Sequence, residues 1–327
     1  MFQTEALPSQ KWRKNLRLYD KLALAGLIVI PSLALLDGKA DAATLRFIVI
    51  HAVAILAILA LIRHETKLHA WLRVLRDWYP LILFTFFFAE VGRAVNLLFP
   101  FWLEPHLIQS DYWLFGQHAY EYLAPRLSPL TTEIFAFAYW AYYPLIPFVA
   151  ALFYFLRQAE ALQPNFGQVM ARICVSLYSC YVGFLLFPAR GPHHALEVSI
   201  ANLTSGGFFF DFVLAIQARS AVVGSAFPSA HVAAAWTVWL VLRKHFKKTF
   251  WALLPLMLLL SVSIFVLQYH YWVDAAGGVI VAVAWEWWFA RREKRPVQPT
   301  LPSRKEESFP HLSPVRKPLL TQSKIAG

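Results

Sequence analysis

The sequence predicts an all-α polytopic membrane protein with about eight transmembrane helices, and three observations carry that prediction. Hydrophobic residues make up 58% of the 327-residue chain and charged residues only 15%, well under the share of about 25% usual in soluble domains. The apolar residues gather into runs of about 20, the length that crosses a bilayer as a helix. The net charge of +11 comes from cations that flank those runs.

The runs fall at roughly 19–36, 45–62, 79–102, 132–156, 168–187, 227–243, 249–268 and 269–290. The first is short and holds Pro31. It lacks a convincing small-residue cleavage site and another span follows, so it reads as a retained helix and not a cleaved leader. The third holds Glu90 and Arg93, three residues apart, which predicts an ion pair or a substrate contact. The stretch 103–131 is too polar to span, yet carries Trp102, Tyr112, Trp113, Leu114 and Phe115 at or near its start, the mark of an interfacial piece. Gly206–Ala218 has the same look. In the fourth run the aromatic series Tyr139-Trp140-Ala141-Tyr142-Tyr143 reads as packing before it reads as a lipid pocket. Cys174 and Cys180 in the fifth are six apart on a helix, about 9 Å along its axis, which argues against a disulfide. The last two runs nearly touch at Tyr269–His270, which asks for a tight hairpin. Trp285, Trp287 and Trp288 before Arg291 form an interfacial belt. The rest of the chain is rich in Pro, Ser, Lys and Arg and reads as a disordered tail.

Cations fix the orientation. Lys11, Arg13, Lys14, Arg17 and Lys21 crowd the N-terminal end; Arg63, Lys67, Arg73 and Arg76 sit in the 63–78 loop; Arg157 and Arg172 flank the next. Arg243, Lys244, Lys247 and Lys248 follow, and then the basic tail. All belong to one side under an eight-span count, which the positive-inside rule makes cytoplasmic. Asp37, Asp41, Glu104, Asp111, Glu121 and Glu133 fall on the other side. Anionic lipid headgroups explain the basic flanks more simply than nucleic acid does.

Three clusters carry the chemistry, and the spans place all of them at the non-cytoplasmic face: FPARGPHH at Phe187–His194, FPSAH at Phe227–His231 and QYHYWVD at Gln268–Asp274. Ionisable groups in apolar runs cost several kcal/mol to desolvate and mark function by default. The spacing of His270 and Asp274 would put both on one helix face, where a carboxylate can fix an imidazole. Ser229 and His231 follow a proline in what reads as a helix N-terminus, a geometry suited to phosphate. Alone, His231 would more often be a satisfied helix-end histidine; the HxxxD pair at the same face reverses that weighting. Arg190 could simply snorkel. His193 and His194 read equally well as solvated loop residues, and two adjacent histidines face one metal poorly, so no metal and no cofactor is expected.

The clusters resemble the motifs of the type 2 phosphatidic acid phosphatase (PAP2) superfamily, written KxxxxxxRP, PSGH and SRxxxxxHxxxD, presented on one face of a six-helix core. The resemblance covers about residues 79–290, with 1–78 as a basic N-terminus plus two accessory helices and 291–327 as the tail. It implies that His270 is the nucleophile and forms a phosphohistidine, that Asp274 orients it and that His231 protonates the leaving oxygen. It also implies that Arg190, with Ser229 and Ala230, holds the phosphate. The chain departs from the family pattern at Gly183 (Lys), Ile264 (Arg) and Ala230 (Gly). Two cations are thus missing, for which Arg93, His193 and His194 are candidate substitutes. PSxH with HYxxD is most similar to the inositol phosphorylceramide synthase and sphingomyelin synthase branch.

The expectation is therefore an integral-membrane enzyme moving a phosphoryl or phospho-headgroup on a lipid substrate, at the periplasmic, lumenal or extracellular face, with both termini cytoplasmic. The first alternative is a lipid phosphate phosphatase acting on phosphatidic acid or isoprenyl or sphingoid phosphates. From another class, a transporter could use the histidines and Asp274 as a proton relay, but broken midplane helices and repeated halves are not visible. A binding protein without turnover sits badly with an intact triad. Donor, acceptor and oligomeric state are not legible.

Overall fold

The computed structural model describes residues 15–35, 41–156, 164–196 and 207–293. Among them there are helices and no strands. The expected N-terminal cation cluster up to Lys14, Asp37, Arg157, Gly206 and the tail from residue 294 lie outside the described residues. The helices are α1 (Leu18–Ala34), α2 (Ala42–Arg63), α3 (Ala70–Val91), α4 (Glu104–Phe115), α5 (Ala119–Leu123), α6 (Pro129–Trp140), α7 (Tyr142–Phe155), α8 (Phe166–Leu186), α9 (Pro192–Ala195), α10 (Phe208–Ser220), α11 (Ala230–Leu242), α12 (Lys247–Val266) and α13 (Trp272–Glu293). Five stretches are long and apolar enough to cross a membrane: α2, 129–155, α8, α12 and α13. This is an all-α integral-membrane architecture.

Several boundaries differ from the sequence reading for physical reasons. The third span begins at Ala70 and ends at Val91, so Arg73 and Arg76 lie on α3 and not in a loop. Arg76 is buried and clasps Asp20 of α1 through both terminal nitrogens, at 2.9 and 2.7 Å, with Tyr79 donating to the same carboxylate. That network pairs both terminal nitrogens of a guanidinium that a loop would have left to water. Arg172, expected in a loop, is a buried residue of α8 paired with Glu286 and Glu293 of α13. The fourth span is two helices that meet at Ala141. Cys174 and Cys180 are buried free thiols, as their spacing foretold.

At the centre, α11 is only 13 residues long and packs against α7, α8, α12 and α13. Its apolar residues run round the whole helix, the pattern of an element buried on every side. Alanines 230, 233, 234 and 235 let neighbours come close, and a Cβ on Gly278 of α13 would meet the Ser229 carbonyl oxygen at 2.6 Å. That close approach is what joins the two histidine motifs.

The polar stretch 103–131 folds as α4 and α5, with Trp113 exposed outward and Glu104 and Asp111 buried inward. α10 exposes Phe208 and Phe212 and buries Phe210 and Val213. Its first turn is held by Glu133, which accepts the N–H groups of Gly207, Phe209 and Phe210. Both stretches, expected as interfacial pieces, fold as short helices that expose aromatic side chains.

Candidate active site

Local sequence builds each half of the site. Ser229 caps α11 by accepting the Val232 N–H at 3.4 Å, which puts His231 in the first helical turn. Its own N–H donates to the Asp274 carbonyl at 3.0 Å, fastening α11 to α13. After α12 the chain reverses through Gln268, whose φ is 66°, and the N–H groups of Tyr269 and His270 both reach the Ile264 carbonyl at 3.0 Å. The expected hairpin is therefore present.

The His270–Asp274 contact forms, but not on a helix face. His270 lies in the hairpin ahead of α13, which starts at Trp272, and Asp274 sits in its first turn. Asp274 Oδ2 turns back to accept the Tyr271 N–H at 2.9 Å and His270 Nδ1–H at 3.2 Å. His270 Nδ1 also lies 2.9 Å from the Ala226 carbonyl oxygen. A carbonyl can only accept, so Nδ1 carries the proton, and in the neutral ring Nε2 is then the nitrogen with the lone pair. Both residues are buried, His270 at 6% exposure and Asp274 at 0%.

The His231 ring faces that of His270 across 6.2 Å, edge to face. It rests among Tyr139, Tyr142 and Tyr143. Its Nε2 is 3.2 Å from the Tyr139 hydroxyl, and that oxygen also accepts from the Gln217 amide of α10. The aromatic series of the fourth span thus touches the site at Tyr139 in addition to packing. His231, His270, Tyr139, Gln217, His193 and His194 line one cleft.

The third cluster approaches from the side. Ala189 pairs with the Gly224–Ala226 strand-like segment, its N–H donating to Gly224 and its carbonyl accepting from Ala226. A Cβ on Gly191 would strike the Tyr269 carbonyl oxygen at 2.0 Å, so only glycine lets this loop lie against the hairpin. Arg190, however, turns away from the cleft. Its Nε donates to Glu104 of α4 and its guanidinium stacks on Trp102, 4.7 Å from the ring centre. His193 makes ring contact with Tyr269, and its Nδ1 lies 3.1 Å from the Gln268 carbonyl oxygen. Burial, with His194 adding to it, pushes His193 down to about 4. His194 is lowered too, by burial and then by Arg190. Neither replaces a missing cation at neutral pH. Arg93 is mostly exposed, pairs with Glu90 at 3.2 Å and lies over Phe47 of α2, outside the cleft lining. Of the three candidate substitutes, the two histidines line the cleft uncharged and Arg93 carries its charge elsewhere.

Sequence reasoning passed over Glu104, Tyr139 and Gln217 as site residues. Glu104 stood only as an acid on the expected outer side, and nothing around it signals a buried partner for an arginine 86 residues on. Among the described residues no group of three or more His, Cys, Asp or Glu side chains is arranged to hold a metal.

Apolar spanning helices around a buried His270 and Asp274 and a half-buried His231 define an integral-membrane protein with an imidazole-lined cleft. The particular family follows from the sequence match: a model of the PAP2 superfamily aligns with residues 106–288. The chain belongs to the PAP2 superfamily, whose members are phosphatases and phosphotransferases. The match begins within α4 and leaves α1–α3 outside it. No curated protein and no solved structure matches the chain.

Proposed function

We propose that the protein transfers a phospho-headgroup from one lipid to the hydroxyl of another through a phosphohistidine on His270, in the manner of inositol phosphorylceramide synthases. The observation that carries this reading is the fixed tautomer of His270. With Nδ1–H given to Ala226 and Asp274, Nε2 is the atom left to attack phosphorus. Attack forms the N–P bond and breaks the bond from phosphorus to the donor lipid's oxygen. His231 gives its proton to that oxygen, then takes the proton of the incoming hydroxyl as the N–P bond breaks. The two ring centres lie 6.2 Å apart beside one cleft, so both imidazoles can reach a group bound between them. Backbone N–H groups at the start of α11 would carry charge on the phosphate oxygens, and Arg190, paired with Glu104 outside the cleft lining, would act on them at longer range.

The cleft lies at the non-cytosolic end of the helices. Supporting this, α11 runs from Ala230 to Leu242 with Arg243 and Lys244 just beyond it, α12 starts at Lys247 and α13 carries Arg291 and Arg292 in its last turn. These cations gather at the end away from the histidines, where the positive-inside rule sets the cytosol. Helices α4–α13, with α3, form the catalytic body, and α1 and α2 are accessory.

The test is to trap the intermediate. Purified enzyme mixed briefly with 32P-labelled phospholipid and denatured in base should hold an acid-labile, base-stable label at His270. His270→Ala should lose that label and at least about 10³-fold in turnover. Full turnover in His270→Ala would remove the nucleophile. Adding ceramide or diacylglycerol then sorts the two acceptors: a new phospholipid means transfer, and release of the water-soluble phospho-headgroup, or of free phosphate from a monoester donor, means that water is the acceptor.

A further inference from the structure

The cleft that holds both histidines is lined by no lysine or arginine side chain among the described residues. Arg190, next in the chain to the lining residue Gly191, is bound by a carboxylate that is itself buried: Glu104, 3% exposed, whose Oε1 accepts from Arg190 Nε. The second carboxylate oxygen, Oε2, is also buried and has no hydrogen-bond partner. A buried acid with an unanswered oxygen is costly to keep. The fold holds it there nonetheless, at the first turn of α4, with the Leu103 N–H donating to the Pro188 carbonyl at 2.8 Å to tie α4 beside the Arg190 loop. The two histidines of that loop are largely uncharged at neutral pH. The phosphate-binding side of the site therefore presents little net positive charge.

From this we infer that Glu104 is a positioning residue that sets the charge of the phosphate site, matching it to a singly charged phosphodiester and against a doubly charged phosphomonoester. The inference rests on the phospho-transfer reading and narrows its donor to a diester lipid. The physics is a difference of one unit charge. A phosphodiester carries a single negative charge, and a monoester carries nearly two at pH 7 because its second ionisation lies near 6. Arg190 alone would favour the dianion; Arg190 clasped by Glu104 loses that preference, because the added negative charge repels each ligand charge in turn.

The experiment measures binding, so that its outcome does not depend on turnover or on the nucleophile. Dihexanoyl phosphatidic acid and dihexanoyl phosphatidylglycerol are titrated into detergent-solubilised full-length enzyme, wild type and Glu104→Gln. The glutamine variant should gain about tenfold in affinity for the monoester and less than threefold for the diester. Glu104→Asp should keep the wild-type ratio, and the double variant Glu104→Gln/Arg190→Gln should return towards it. The same ratio read on wild type alone from pH 5 to pH 8 covers the case in which Glu104→Gln fails to fold. Monoester affinity should rise as pH falls through 6 while diester affinity stays level. A ratio unchanged in Glu104→Gln, both affinities falling together, a wild-type ratio flat with pH, or no diester binding would each overturn the inference. Loss of the His270 phosphoadduct with the ratio intact would instead sink the transfer reading and leave the charge selection standing.

Discussion

The two ends of α13 treat buried charge in opposite ways. At its far end Arg172 is answered twice, by Glu286 and Glu293, and in the neighbouring helices Arg17 and Arg76 are shared among Asp20, Glu65 and Asp77. All three nitrogens of Arg172 are partnered there, the Gln168 carbonyl completing the set, while in the second network Arg76 Nε and Glu65 Oε2 are buried without a hydrogen-bond partner. At its start, Asp274 holds His270 by one nitrogen, and the other has no partner among the described residues. Asp274 Oδ1 and Tyr271 Oη are buried without partners as well. The same helix therefore carries a closed ionic clamp at one end and a primed, incompletely satisfied imidazole at the other.

The sharpest break of this contrast is at Asp274. Replacing it with Asn keeps volume but lets the amide donate, so Nδ1 of His270 no longer has a carboxylate to hold its proton. Turnover in Asp274→Asn should fall on the order of 10³-fold, with the thermal midpoint in detergent little changed. Steady-state rates against a short-chain lipid check this. A variant within tenfold of wild type would mean that the Ala226 carbonyl alone sets the tautomer.

How far this site was legible depends on the kind of information each part needed. Spans and helix starts are local: apolar length gave α8, α12 and α13, and Pro-Ser gave the start of α11. The HxxxD spacing pointed to a true contact through a mistaken geometry, because a hairpin residue and a first-turn residue can meet as readily as two on one helix face. Glu104 and Gln217 were invisible because their partners, Arg190 and Tyr139, are distant in the chain and no periodicity links them. Arg76 and Arg172 were misplaced for a related reason. The positive-inside rule counts cations without asking whether a buried acid awaits them.

A second way to sharpen the contrast is to open the clamp. Arg172 is 1% exposed, and Arg172→Met would leave Glu286 and Glu293 without their cation. Breaking a buried pair on one side costs about 3 kcal/mol, to be read as a lower thermal midpoint in detergent. Glu286 lies 12 residues along α13 from Asp274, about 18 Å at the helical rise. The rate per folded molecule at low temperature should therefore stay within twofold of wild type. A large fall in that rate with the midpoint intact would show the clamp to be coupled to the site, and the two ends would no longer be separable.

The smallest expected effect tests whether the site end stores strain of its own. Asp111 of α4 accepts the Ala119 N–H at 3.0 Å and the Trp272 N–H at 3.4 Å, bracing the first residue of α13, and no arginine or lysine is paired with it among the described residues. Burial, only partly offset by those two donors, pushes its carboxyl up to about 6. The folded protein then holds this proton more tightly than the unfolded chain, whose carboxyl titrates near 4. Between about pH 4 and pH 6 the native state binds more protons, so the contribution of Asp111 to stability is greatest below that window and is lost as pH rises through it. Wild-type enzyme should gain on the order of 2 °C in thermal midpoint between pH 7 and pH 5 from this group. Asp111→Asn, which keeps an acceptor for one N–H, should lose that increment, and subtracting the two profiles isolates the residue from every other titrating group. Matching slopes in the two proteins would mean that Asp111 is as well satisfied as the carboxylates of the clamp, and that the difference between the ends of α13 is confined to the histidine and aspartate themselves.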